Sequence, residues 1–279
     1  MIIDVEGIEA YCYTGGKQFN PIQPTAVFIH GAQNDHSVWI LQTRYFAHHG
    51  FNVLAVDLPG HGRSKGAAKT SVEAMAAWLL ALLDTVGVES GPKPAMLVGH
   101  SMGSLVALEA SHQAPRRIGK LAMLGTTYPM KVSEALLETA KNDEPAAIDM
   151  VNIWSHSMRA QNPACPLAGV NAMGGARRLM QRMSAINPAQ LFHTDFSACN
   201  AYANGEAAAR ALACPALFIF GSKDMMTSAR STKLLTAAIG NGKIVHVDAG
   251  HALMTEQPDA VLDALFAFAI APTTAQEGS

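Results

Sequence analysis

The pentapeptide Gly99-His100-Ser101-Met102-Gly103 constrains this chain more than any other stretch. An apolar run, Ala95-Met96-Leu97-Val98, precedes it and reads as a buried strand. Ser104-Leu105-Val106-Ala107-Leu108-Glu109-Ala110 follows and reads as a helix. A strand that turns into a helix within so few residues admits only small side chains two positions either side of Ser101. It holds the serine strained at the apex. The helix N-terminus then faces the site and favours negative charge developing there. A short glycine-bounded motif also arises by chance in a chain with 23 glycines, so its meaning rests on the remaining sequence.

The totals narrow the setting. With 279 residues, 49% of them hydrophobic and 15% charged, the chain can build one large α/β domain with an inserted subdomain. A net charge of −2 gives no electrostatic footprint for nucleic acid or an anionic membrane. The opening residues Met1 to Gly7 carry acids where a secretion signal needs a basic region and an apolar run. No apolar stretch reaches membrane-spanning length. Cys12, Cys165, Cys199 and Cys214 are scattered and form no C-x-x-C pair. They read as reduced thiols, and a cytoplasmic protein is expected. The eleven histidines show no metal-ligand spacing, so no metal site is expected; adjacent His48-His49 reads as a helix end.

Residues 1–13 alternate around Glu6-Gly7 and predict a hairpin. Ala26 to Ile29, Asn52 to Val56, Ala95 to Val98, Ile118 to Leu124, Pro215 to Phe220 and Lys243 to Val247 predict strands. Helices are expected between them: Val38 to His48, a segment capped by Ser71 and running to Val86, one opened by Thr227 or Ser228, and a last one from Thr255 or Glu256 to Ala271. Residues from Pro272 to Ser279 read as a frayed tail. This alternation implies a mainly parallel sheet covered on both faces. It breaks between Tyr128 and Arg210, where helical patterns rich in methionine and without a strand predict a cap. The expected division is core 1–127, helical cap 128–210 and core 211–279. Arg177, Arg178 and Arg182 read as a solvated face of that cap.

A serine hydroxyl needs a base, and the base needs an acid that fixes its tautomer. Ligands meet open parallel sheets beyond the carboxyl ends of the strands. The polar residues standing there are His30, Asp57, Ser101, Thr126, Asp224, Asp248 and His251. Ser101, Asp224 and His251 give a nucleophile, an acid and a base in an order known for such sites. Asp248 lies too near His251 along the chain to orient it easily, and Asp57 stands before a Pro-Gly turn and reads as a loop brace. Asp224 is therefore the expected acid. The oxyanion donors are expected to be the backbone N–H groups of Met102 and Ala32. Trp39, Tyr128 and Trp154 could wall a pocket or serve as core.

His30-Gly31-Ala32, the loop Asp57-Leu58-Pro59-Gly60-His61-Gly62-Arg63-Ser64, Gly99 to Gly103, Gly221-Ser222-Lys223-Asp224, and Gly250-His251 followed by Glu256-Gln257-Pro258 together resemble the α/β-hydrolase superfamily. The resemblance spans nearly the whole chain apart from the cap. It implies an eight-stranded sheet with an antiparallel second strand, a Ser-His-Asp triad and a lid inserted after the sixth strand. It makes His61 and Arg63 braces rather than catalysts. The Gly-His-Ser-Met-Gly turn is similar to those of carboxylesterases and monoacylglycerol-lipase-like enzymes. The expectation is a serine hydrolase that cleaves a small-molecule carboxylic ester or thioester without a cofactor; oligomeric state stays open. C–C bond hydrolysis or acyl transfer on the same three residues, and a ligand-binding receptor on a hydrolase scaffold, are the alternatives.

Overall fold

The computed structural model describes residues 1–20, 22–88, 94–162, 171–227 and 231–272. Cys165, Ser228 as a helix start and the tail beyond Pro272 lie outside them. The chain opens with β1 (Ile2–Val5), β2 (Ile8–Tyr13) and β3 (Thr25–Ile29), then α1 (Ile40–His48), β4 (Asn52–Val56), α2 (Val72–Thr85), β5 (Ala95–His100), α3 (Met102–Gln113) and β6 (Ile118–Leu124). Six helices follow: α4 (Glu134–Asn142), α5 (Glu144–Ser155), α6 (Met158–Gln161), α7 (Ala172–Ile186), α8 (Leu191–Ala201) and α9 (Gly205–Arg210). The alternation resumes with β7 (Ala216–Gly221), α10 (Lys233–Ile239), β8 (Lys243–Val247), α11 (Leu253–Glu256) and α12 (Pro258–Ile270).

The eight strands form one sheet in the order β1-β2-β4-β3-β5-β6-β7-β8. β2 runs antiparallel to both of its neighbours, and the remaining pairs are parallel. The continuous apolar runs of β3, β4 and β5 are what a strand covered on both faces requires. Successive side chains split between two cores. Val27, Ile29, Leu54, Val56 and Leu97 pack with α2 and α3, while Phe28, Val53, Ala55 and Val98 pack with Phe46 of α1 and Leu265 of α12. A third apolar cluster, Leu136, Ile148, Val151, Met180, Phe192 and Phe196, joins helices α4, α5, α7 and α8.

Two helix starts differ from expectation. The helix after β7 begins at Lys233, because Thr227 is engaged with a carboxylate, described below. The final helix is broken in two at Gln257, whose φ of −136° and ψ of 60° are non-helical. Pro258 imposes this: its ring disfavours the helical conformation of the residue before it.

The turn from β5 into α3 is the tightest point of the fold. A Cβ on Gly99 would stand 2.1 Å from Gly103 O and 2.6 Å from Ser104 Cα. A Cβ on Gly103 would stand 2.4 Å from Ile29 O and 2.5 Å from His30 O. The obstacles are backbone and cannot swing aside. Gly99→Ala should therefore destabilise the protein by about 3 kcal/mol. Gly7→Ala, with a φ of +84° but open space around it, should cost about 1 kcal/mol. Urea unfolding of the two variants would check this ranking.

Candidate active site

Ser101 has φ 52° and ψ −120°, a backbone conformation that side-chain-bearing residues rarely adopt. Such a residue stores about 1–3 kcal/mol and persists only where its surroundings hold it. Here Ser101 N donates to Leu124 O on β6 at 2.9 Å, and Ser101 O accepts from Ser104 Oγ at 2.5 Å. Ser104 Oγ also lies 2.7 Å from Thr126 Oγ1. The serine is thus pinned between two strand ends at the N-terminus of α3.

His251 follows β8, and its Nδ1–H donates to Asp224 Oδ2 at 2.8 Å. Both side chains are buried, 6% and 2% exposed. Asp224 Oδ1 accepts the N–H groups of Met226 (2.7 Å) and Thr227 (2.9 Å), and Oδ2 also accepts Thr227 Oγ1–H at 2.6 Å. Burial alone would raise this carboxyl. The charge of His251, its hydrogen bond and the Thr227 donors prevail and hold it down at about 2. The rival acids are used elsewhere. Asp248 sits at the surface, paired with Lys223 at 2.7 Å. Asp57 accepts His36 N and Nδ1, each at 2.8 Å, and Arg63 N at 2.9 Å, which fixes its loop. Asp35, His36 and Asp57 form a cluster of metal-ligand type, but both carboxylates already have donors, with Ser37 and Arg182 of α7 on Asp35.

Ser101 and His251 face one cavity of about 460 Å³, also lined by Gly31, Ala32, Asn152 and Met226. Among the described residues Ser101 Oγ makes no hydrogen bond, and neither do the N–H groups of Ala32 and Met102. In the absence of substrate, hydrogen bonds of such sites are often long. The Met102 side chain itself lies in the core.

None of the three aromatic residues considered as walls lines this cavity. Trp39 is fully buried between Phe28 and His100. Tyr128 packs against Tyr202 and donates to Ala203 O at 2.5 Å. Trp154 packs on the apolar cluster of the inserted helices. The apolar part of its lining is instead aliphatic and thioether, Val151, Leu179, Met180, Met226 and Met254, together with Phe196. Of the three arginines, Arg177 pairs with Asp149 and Arg182 with Asp35, and Arg178 and Arg182 lie at the cavity.

Two buried carboxylates, Asp195 without a sequence motif of its own and Glu256 of the Glu256-Gln257-Pro258 motif, fasten the inserted helices beside the site. Asp195 of α8 accepts Gln33 N at 2.8 Å, next to Ala32, and His61 Nε2–H at 2.9 Å. The other His61 nitrogen donates to Pro59 O at 3.1 Å. Both nitrogens thus face acceptors, an arrangement that favours the protonated ring. Burial lowers its pKa, but Asp195 and the carbonyl outweigh that and raise it. Glu256 accepts Gly250 N at 3.1 Å and, from beyond α5, Ser157 N at 3.1 Å and Ser157 Oγ. Two other histidines are buried neutral. His30 Nδ1–H donates to Gly31 O (2.8 Å) while Nε2 accepts Leu58 N (3.2 Å), and His100 Nε2–H donates to His251 O (2.9 Å). Burial foremost pushes them down to about 4 and about 3 respectively.

A family model described as "Alpha/beta hydrolase family" matches residues 26–264, and the chain belongs to that family. Over 123 residues it is 36% identical to the dihydrolipoyllysine-residue acetyltransferase component of an acetoin cleaving system from Cupriavidus necator, covering 43% of this chain and 30% of the relative. Over 111 residues it is 37% identical to a pimeloyl-[acyl-carrier protein] methyl ester esterase of Methylococcus capsulatus, covering 40% of each. The chain thus spans well under half the length of these curated relatives. The enol-lactonase of Burkholderia xenovorans LB400 shares the fold, with a TM-score of 0.82 at 22% identity over 97% of this chain and 100% of that one.

The histidine environments set a pH profile of stability. For His30 and His100 the folded pKa lies below the ordinary value of about 6.5, so the unfolded chain binds more protons and stability climbs as pH rises toward 6.5. Asp224 acts in the same direction between about 2 and its ordinary value. For His61 the folded pKa is raised, so its contribution is complete below about 6.5 and is lost as pH rises through the folded value. Denaturant midpoints measured across pH should rise up to about 6.5. The decline above it should flatten in His61→Gln.

Proposed function

We propose that this alpha/beta hydrolase is a serine hydrolase that cleaves a carboxylic ester or thioester through an acyl-enzyme on Ser101. The observation that carries the reading is the His251–Asp224 pair at 2.8 Å, aimed at the same cavity as the strained Ser101. Asp224 keeps the proton on His251 Nδ1, which leaves Nε2 as the base. Nε2 takes the Ser101 proton as Oγ attacks the acyl carbon. The oxygen that becomes negative is met by the N–H groups of Ala32 and Met102 and by the N-terminus of α3. The imidazolium then protonates the departing alkoxide or thiolate as the acyl C–O or C–S bond breaks. Water repeats the sequence to release the acid.

Residues 128–210 act in this reading as a cap whose α5, α7 and α8 roof the cavity. What supports it is their position between β6 and β7 and their own apolar cluster. The substrate is a small molecule, given a cavity of about 460 Å³. No described helix is long and apolar enough to cross a membrane. We place the protein in the cytoplasm, a reading supported by Cys12 and Cys199, free thiols buried in the core. Acyl transfer to an acceptor other than water is the second reading, favoured by the acetyltransferase component among the relatives.

A fluorophosphonate probe should label the protein at Ser101, and Ser101→Ala should abolish labelling and turnover of p-nitrophenyl esters. Labelling that survives in Ser101→Ala would overturn the assignment. Asp224→Asn should lower kcat by about 10³- to 10⁴-fold, because the wrong tautomer is then favoured. Asp248→Asn should stay within about twofold, since its carboxylate meets Lys223 at the surface.

A further inference from the structure

The peptides around Ala32 have one support in the sheet and one in the inserted helices. Gly31 packs on the nucleophile turn: a Cβ added there would stand 3.2 Å from Ser101 Cβ. Gly31 O accepts His30 Nδ1–H at 2.8 Å. The Gly31–Ala32 bond is trans, so the Ala32 N–H points away from His30. The next peptide is held from the other side, where Gln33 N–H donates to Asp195 Oδ2 of α8 at 2.8 Å. These two bonds fix the planes on either side of Ala32 Cα.

Gln33 is fully buried and has a φ of +57°. A residue with a side chain persists in that conformation only where its surroundings hold it. The atoms that hold it belong to the insertion. Gln33 Nε2 lies 3.1 Å from Met180 O and 2.9 Å from Ser184 Oγ, both of α7, and 3.2 Å from Glu144 Oε1 at the start of α5. Two residues further on, Asp35 meets Arg182 of α7. The segment after Ala32 is thus tied to α5, α7 and α8, the same three helices that contribute to the cavity lining.

We propose that Gln33 is a positioning residue: through it the inserted helices set the direction of the Ala32 N–H, and the oxyanion site is complete only while the insertion is docked on Gln33. This rests on the serine-hydrolase reading of Ser101, with Ala32 as a donor. Gln33 does not line the cavity. It acts through the peptide it shares with Ala32. A donor aimed at developing charge works by being held in place beforehand. A tilt of that peptide therefore weakens binding of the transition state more than binding of the substrate.

The test compares turnover with two inhibitors. Gln33→Met keeps the side chain's length and the backbone N–H but has no donor for α5 and α7. It should lower kcat/KM for p-nitrophenyl butyrate at least about tenfold, part of the roughly 10²- to 10³-fold that loss of a whole oxyanion donor costs. An alkyl trifluoromethyl ketone, which takes up the serine as a tetrahedral oxyanion, should lose affinity by a similar factor. The matching methyl ketone, which forms no stable adduct, should bind as before. Asp195→Ala should act likewise, and Asp195→Asn, which keeps an acceptor for Gln33 N, should recover part of the loss. Thermal unfolding identifies a variant that fails to fold, and the other position then carries the comparison. Wild-type kcat/KM in a folded variant, or equal weakening of both ketones, would overturn the positioning role and leave the serine-hydrolase reading intact. Absence of fluorophosphonate labelling at Ser101 of the unsubstituted protein would instead overturn the underlying reading.

Discussion

The close approach of three backbones around Ser101 is the constraint on which the site depends. Gly103 lies against Ile29 O and His30 O at the end of β3, and Gly99 lies against Gly103. Because neither position can carry a side chain, β5, β3 and the start of α3 meet within van der Waals distance. That contact drives Ser101 into its unusual φ and ψ and lifts its side chain toward the cavity. It also brings the loop after β3, with Ala32, to the same edge. The strain at Ser101, its access to the cavity and the proposed oxyanion site follow from one packing requirement.

Around this rigid point the polar side chains act as fasteners of loops. Asp57 ties His36, ahead of α1, to Arg63 in the loop after β4, Asp224 gathers the residues after β7, and Glu256 ties the histidine loop to Ser157. Each carboxylate has enough donors to offset the cost of its burial. These ties hold His251 in place, and among the described residues Ser101 Oγ has no partner.

The fold was legible in the sequence where one physical cause acts alone. β3, β4 and β5 are apolar on both faces because both faces are covered, and a run such as Val27-Phe28-Ile29 admits no other strand type. Asp224 and His251 were legible because strand ends collect polar residues that the sheet cannot bury. The aromatic residues were not: a tryptophan is equally apolar whether it faces a cavity or, like Trp39, a phenylalanine. Nor was Asp195. It lies on a helix whose periodicity reveals which face is apolar but not what stands opposite it. The helix start at Thr227 was misplaced for a related reason. Threonine caps helices by accepting an N–H, and here its hydroxyl instead donates to Asp224.

The pair between His61 and Asp195 joins residues 134 positions apart and lies wholly inside the protein. It bridges the sheet and the inserted helices, so each side supplies the other's hydrogen-bond partner. A foreign set of helices grafted between β6 and β7 without a carboxylate there would leave His61 neutral, since burial alone lowers its pKa, and would deprive His61 Nε2 and Gln33 N of their shared acceptor. Exchange of the whole insertion is therefore favoured for segments that keep an acceptor at the position of Asp195.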